Sequence, residues 1–472
     1  MNEFDDLDYF EDSDSDNEGT GSYDKNGGNS KNKKRKFDIN NPSDPELLEE
    51  YITELFDKQE FDEALIHINK YIELFPYSSE MWHKKALILD GIGKFDEAIE
   101  YYDKAILLNP NDTEIHLNKA ITLENLEKYE DSIQTLLNVM TMEPDNTEAI
   151  FNLGLTYERI EKYNEAAECF RKVICLDNTH KDAYYELGYC YDFLDMLEES
   201  IIAYKRHLDL APLNYNAWYN LGIVQNRMGR FMKAIESYEM SIAIREDLSP
   251  AWYNMGNAYA SLGRLYKAID CYNKALELKN EDPYCYHNIG NAYEEIGEYR
   301  KAIDYFTKSI VLDPKNYESF YGRGNCYYCL DEYEKAINDF NSSLVLCKDF
   351  SEIWYSKADA ELAMGKTAEA LKSYERVVKL EAKNFDAWFD YGCALVDTKS
   401  FTKAISAFDN AIKHNPKWVE PYYEKAKVYF LSGDYAKGIE MLEEAFKIKP
   451  EDRFDYDINS GFEKVMKFLM KK

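Results

Sequence analysis

Residues 217–222 read Ala217-Trp218-Tyr219-Asn220-Leu221-Gly222, and 34 residues later the chain reads Ala251-Trp252-Tyr253-Asn254-Met255-Gly256. Followed outward from this pair, the same 34-residue frame runs from Pro45 to Asp452 without an inserted or deleted residue, giving twelve units. Counted from the first residue of each unit, position 20 is always small: Ala64, Ala98, Ser132, Ala166, Ser200, Ala234, Ala268, Ala302, Ala336, Ala370, Ala404 and Gly438. Position 24 is always large and apolar, as in Ile68, Tyr102, Phe170, Tyr238, Phe306, Tyr374 and Leu442. Position 8 is Gly or Ala in every unit but the first, five of the six Trp stand at position 4, and Pro holds position 32 in seven units.

This spacing predicts two amphipathic helices per unit. Apolar residues at positions 4, 7, 8 and 11 fall on one face of a first helix, and those at 17, 20, 21, 24, 27 and 28 on one face of a second. Between them, position 15 is Gly in six units (Gly93, Gly229, Gly263, Gly297, Gly365, Gly433), as suits the left-handed backbone that ends a helix. Small residues at 8 and 20 let the two backbones approach, and the bulky groups at 4 and 24 fill the space beside them. One such unit cannot bury its apolar faces alone, so the units must stack as a one-dimensional array with distinct ends. The first unit, with Ile52 at position 8, is atypical, and Phe462, Val465, Met466 and Leu469 after the last are spaced as one capping helix. The expected organisation is a tail over residues 1–44, twelve repeats over 45–452, and a capping helix over 453–472.

The tail carries twelve acidic residues, a Gly/Ser/Asn stretch from Asn26 to Ser30, and the basic run Lys33-Lys34-Arg35-Lys36. Its low hydrophobicity predicts disorder. The whole chain has a formal charge of −32, which disfavours nucleic acid as a partner and favours neutral or basic proteins. Nine cysteines in scattered positions do not form a secreted disulfide framework. The acidic start lacks the apolar stretch of a signal peptide, and no run of apolar residues is long enough to span a bilayer. These features predict a cytoplasmic protein, or a nuclear one if the host has a nucleus, with no membrane partner.

The frames around Trp218 and Trp252 resemble the tetratricopeptide repeat family over residues 45–452. That resemblance implies an all-α, right-handed superhelical solenoid of helix pairs whose concave groove, lined by first helices, captures peptides and partner domains. The family shares no catalysis. The resemblance also implies that positions 2, 5, 9 and 12 of each first helix face the groove. Repeats three to six then offer Leu117, Ile121, Phe151, Leu155, Tyr185, Tyr189, Tyr219 and Ile223, an apolar and aromatic strip. Repeats seven to nine offer Asn257, Asn291 and Asn325. Position 6 is Asn118, Asn152, Asn220, Asn254 and Asn288, which resembles the asparagine ladder in the repeat arm of O-linked N-acetylglucosamine transferase. An amide side chain can pair with a partner backbone whatever its sequence. The family consensus itself favours Asn there, so a structural role stays open beside the binding one. Glu, Tyr and Asn stand where chaperone-binding members carry a Lys/Arg clamp.

No catalytic motif, metal site or cofactor site is expected. Cys326 and Cys329 form a lone Cys-x-x-Cys inside a first helix, and packing explains them. His116 takes the place of the aromatic at position 4. Asp12-Ser13-Asp14-Ser15-Asp16 imitates the start of a calcium loop but lacks its Gly and its terminal Glu. The basic run and the neighbouring serines suit nuclear import and phosphorylation in a eukaryotic host. Two functional readings follow: a scaffold holding several proteins, or the targeting or regulatory subunit of a separate enzyme, with a nuclear regulatory factor as a third.

Overall fold

The computed structural model describes residues 45–279 and 281–450. The tail, its basic run and the expected capping helix lie outside the described residues. The chain divides into two units, Met1–Glu246 and Asp247–Lys472. Among the described residues the secondary structure is entirely helical, and each unit holds twelve helices in six consecutive antiparallel pairs.

In the first unit the pairs are α1 (Pro45–Asp57) with α2 (Phe61–Leu74), α3 (Ser79–Gly91) with α4 (Phe95–Leu108), and α5 (Thr113–Asn125) with α6 (Tyr129–Met142). They continue as α7 (Thr147–Arg159) with α8 (Tyr163–Leu176), α9 (Lys181–Phe193) with α10 (Leu197–Leu210), and α11 (Tyr215–Arg227) with α12 (Phe231–Ile244). In the second unit the pairs are α13 (Ser249–Ser261) with α14 (Leu265–Leu278), α15 (Pro283–Ile296) with α16 (Tyr299–Leu312), and α17 (Tyr317–Cys329) with α18 (Tyr333–Leu346). There follow α19 (Ser351–Ala363) with α20 (Thr367–Leu380), α21 (Phe385–Asp397) with α22 (Phe401–His414), and α23 (Glu420–Leu431) with α24 (Tyr435–Ile448).

Each tight turn is made the same way. Position 15 has a positive φ in all twelve repeats, including the six without glycine: Gln59, Glu127, Glu161, Asp195, Asp331 and Lys399, at 56° to 60°. The N–H of position 16 then returns to the carbonyl of position 11, as Arg230 does to Gln225 at 2.8 Å, closing the helix end that the left-handed residue permits. At the other end, position 34 caps the next first helix. The Asn214 side chain accepts from the Ala217 N–H, and Asn146, Asn316, Asn384 and Ser78 do the same.

The small-against-large pattern is literal contact. A Cβ added to Gly222 would lie 2.5 Å from Cε1 of Tyr238, and one on Gly256 would lie 2.6 Å from Tyr272. The alanines at position 20 are fully buried. Serine is accepted there because its hydroxyl donates to the position 8 carbonyl, Ser132 to Ala120 at 2.9 Å and Ser200 to Gly188 at 2.7 Å. The aromatics at position 4 also do more than fill space. The indoles of Trp82, Trp218, Trp354 and Trp388 each donate to the carbonyl six residues back, at 2.9 Å. His116 Nε2 meets the same carbonyl, that of Pro110, at 3.0 Å, which is why histidine can stand in for an aromatic there.

Candidate partner-binding face

Within each unit successive first helices touch one another: α3 and α5, α5 and α7, α7 and α9, α9 and α11, and likewise α15 and α17, α17 and α19, α21 and α23. Successive second helices make no comparable contact. The first helices therefore line the tighter side, and their positions 5, 6, 9 and 12 meet across repeats.

The sequence-predicted residues of the first unit separate by burial. Leu117, Tyr219, Asn220 and Ile223 are buried and act in packing. Ile121, Phe151, Leu155, Tyr185 and Tyr189 are half-buried and present a continuous apolar strip over three repeats. Their neighbours hold them in place: Phe151 packs on Phe170 and His180, Tyr185 on Tyr204 edge to face, and Tyr189 on Phe193.

The asparagines at position 6 bond between repeats. Asn220 Nδ2 donates to the Tyr185 hydroxyl at 3.0 Å, and Asn288 Nδ2 donates to the Tyr253 hydroxyl at 3.0 Å and to Asn257 Oδ1 at 3.1 Å. Asn118 meets His83 Nε2 at 3.0 Å. In each case position 6 reaches position 5 of the preceding repeat, so these donors stitch first helices together. Asn152 and Asn254 occupy the same position, half-buried. In the second unit Asn257 accepts the Tyr272 hydroxyl as well, exposed Asn291 meets His287 Nε2 at 2.9 Å, and Asn325 bonds Glu294. Burial lowers the His287 imidazole to about 4, so it is neutral at physiological pH.

Sequence reasoning passed over a second set on the same face. Position 12 is Asp90, Glu124, Glu158 and Asp192 in four consecutive repeats, followed by Asn226. Position 10 of the next repeat supplies each of the first three with one donor. Thr122 gives to Asp90 at 2.7 Å, Thr156 to Glu124 at 3.2 Å, and the Cys190 thiol to Glu158 at 3.8 Å. Two guanidinium groups stand against the four carboxylates. Arg159 lies 3.8 Å from Glu124, and Arg227 bonds both buried Asp192 and Asp195. Burial outweighs these partners, so the Asp90 and Glu124 carboxyls are raised and Glu158 is pushed up to about 7. The signal was present in the 34-residue frame, but a column of acids in an acidic chain looks like ordinary solvated surface until burial is known.

Models of the tetratricopeptide repeat match residues 79–112, 215–248, 249–282 and 283–316, then 101–134 and 305–338, 147–180, 181–212 and 419–452, and 355–417, together more than half of the chain. The chain belongs to the tetratricopeptide repeat family. Among solved structures, that of the MamA protein shares 32% identity over 36% of this chain and 92% of its own, with a TM-score of 0.35. That of YrrB, described as a tetratricopeptide repeat protein with an unusual peptide-binding site, shares 25% identity over 39% of this chain and 94% of its own, with a TM-score of 0.36. The APC/C hetero-tetramer Cut9-Hcn1 aligns over 86% of this chain and 94% of its own at 13% identity and a TM-score of 0.37. Among curated proteins, no sequence matches the chain.

Members of the tetratricopeptide repeat family are protein-interaction scaffolds. Cys326 is buried in α17 and burial raises its thiol, while Cys329 is exposed. Among the described residues no group of His, Cys, Asp and Glu is arranged to hold a metal ion, and no helix is long and apolar enough to cross a membrane.

Proposed function

We propose that this tetratricopeptide repeat protein is a non-enzymatic scaffold whose first-helix face, in its first unit, captures partner segments rich in Lys and Arg. The observation that carries this reading is the column Asp90, Glu124, Glu158 and Asp192, four carboxylates partly withdrawn from water and faced by two guanidinium groups. A carboxylate that has lost hydration gains most from an ammonium or guanidinium that replaces it. One carboxylate per repeat suits an extended segment that crosses several repeats. Beside the column, the half-buried strip of Ile121, Phe151, Leu155, Tyr185 and Tyr189 takes apolar side chains of the same segment. The same charges repel phosphate, so nucleic acid does not fit this face.

The test is calorimetric titration of the full chain with two peptides of identical apolar residues, one carrying Lys and Arg, the other Glu. The basic peptide alone is expected to bind, with affinity falling about tenfold when salt rises from about 50 to about 200 mM. Glu124→Gln with Glu158→Gln should remove most of that binding at unchanged helicity. Equal binding of the two peptides would overturn the reading.

A further inference from the structure

Within the acidic column Asp90 and Glu158 accept from the neutral donors Thr122 and Cys190, while Glu124 and Asp192 lie against Arg159 and Arg227. The hydroxyl of Tyr102, a residue fully buried beside Asp90, has only the Thr122 side chain as a polar partner, and Thr122 already gives its proton to Asp90. The hydroxyl of Tyr238, equally buried and near Asp192, has no hydrogen-bond partner. Oδ1 of Asn226, at the end of the column, is a buried acceptor without a donor. The acceptors along this strip are carboxylates and one amide oxygen, groups that a cationic donor satisfies.

A segment of matching chemistry belongs to the same chain. Lys33, Lys34, Arg35 and Lys36 form a basic run in a protein of net charge −32, and Pro45, where α1 begins, is close by in sequence. The nine residue steps from Lys36 to Pro45 span at most about 30 Å, and the twelve from Lys33 about 40 Å. Position 12 of a first helix lies about 17 Å along the axis from position 1, and touching helices have axes about 10 Å apart. From the start of α1, Asp90 is then about 20 Å away, Glu124 about 27 Å and Glu158 about 35 Å. By length alone the run can reach the first three carboxylates of the column.

We propose that Lys33–Lys36 docks in cis on Asp90, Glu124 and Glu158 and occupies the partner-binding face until a partner with a stronger basic segment displaces it. The inference rests on the reading that this face takes basic segments, and adds its regulation. A tether of this length holds its ligand at an effective concentration of about 1 mM, so a site of about 0.1 mM intrinsic affinity would be some tenfold harder for an outside ligand to enter.

The experiment uses the full chain and a labelled synthetic peptide of residues 29–40, followed by fluorescence anisotropy. In a variant carrying Lys33→Gln, Lys34→Gln, Arg35→Gln and Lys36→Gln, the peptide is expected to bind about tenfold more tightly than to the native chain. Adding Glu124→Gln and Glu158→Gln to that variant should abolish the binding. Equal affinity for native chain and variant would overturn cis docking while leaving the basic-segment reading intact. Failure of both to bind would overturn the two together. A native chain that self-associates, as seen by sedimentation, and whose peptide affinity drops as protein concentration rises, would place the run on a second copy and also overturn docking in cis.

Discussion

The hydroxyl of Tyr272 donates to Oδ1 of Asn257 at 2.8 Å, joining position 24 of a second helix to position 9 of its own first helix. Tyr374 reaches Asp359 in the same way. Where position 9 is apolar, as with Ile223 below Tyr238, the buried hydroxyl finds no partner. The same tyrosine is therefore stabilising or costly according to one residue fifteen positions before it.

Substituting these tyrosines should separate the two cases. Tyr272→Phe is expected to lower stability by about 1 kcal/mol, the usual net worth of a buried hydrogen bond. Tyr238→Phe removes an orphaned hydroxyl and is expected to be neutral or to stabilise by up to about 1 kcal/mol. Urea denaturation of the two variants side by side would show it, and equal losses would refute the account.

The contact between Gly222 and Tyr238 makes a steric prediction. A methyl at 222 would sit 2.5 Å from the ring, so Gly222→Ala should destabilise by about 1–3 kcal/mol. Tyr238→Leu in the same chain should recover most of the loss, since the third repeat already combines Ala120 with Leu136 at these positions. Thermal melting of the single and double variants measures the coupling.

Glu161 and Lys399 adopt left-handed backbone at φ of 60° and 56°, where a side chain is strained and glycine is not. Glu161→Gly or Lys399→Gly is expected to stabilise by about 1 kcal/mol, and Gly229→Ala to cost a similar amount. A rise in melting temperature for the first two and a fall for the third is the outcome to look for.

Glu158 makes stability depend on pH. Its folded-state pKa of about 7 lies above the ordinary 4.5, so the folded chain holds a proton that the unfolded chain releases. This contribution is fully present below pH 4.5 and is lost as the pH rises through about 7, at most about 3 kcal/mol in all. Glu158→Gln should flatten that part of the profile in denaturation measured from pH 5 to pH 8. A cation arriving at this carboxyl would expel the proton, so a basic segment should bind more tightly at pH 8 than at pH 6.

The asparagine series shows how far one sequence can be read. Its period and its place on the first helix were legible, because residues on a shared helix face follow from 3.6 residues per turn. What the amides bond to was not. Asn220 meets Tyr185 and Asn288 meets Tyr253, both 35 residues away, and such contacts depend on how one repeat is rotated onto the next. The carboxylates at position 12 were hidden for a related reason. Aspartate and glutamate abound in this chain, and only the packing of Thr122, Thr156 and Cys190 against them distinguishes this column from solvated acids.

By itself the sequence determined the 34-residue period, the helix pairs, the turn at position 15 and the setting of small residues at positions 8 and 20 against large ones at 4 and 24. All of these are set within one repeat, by local backbone geometry and by side chains a few turns apart. The tertiary structure alone decided which polar groups are spent between repeats, which tyrosine hydroxyls are left without partners, and which carboxylates lose water. Those outcomes are differences between hydration and pairing, and they are fixed only when neighbouring repeats close on each other and exclude solvent from specific atoms.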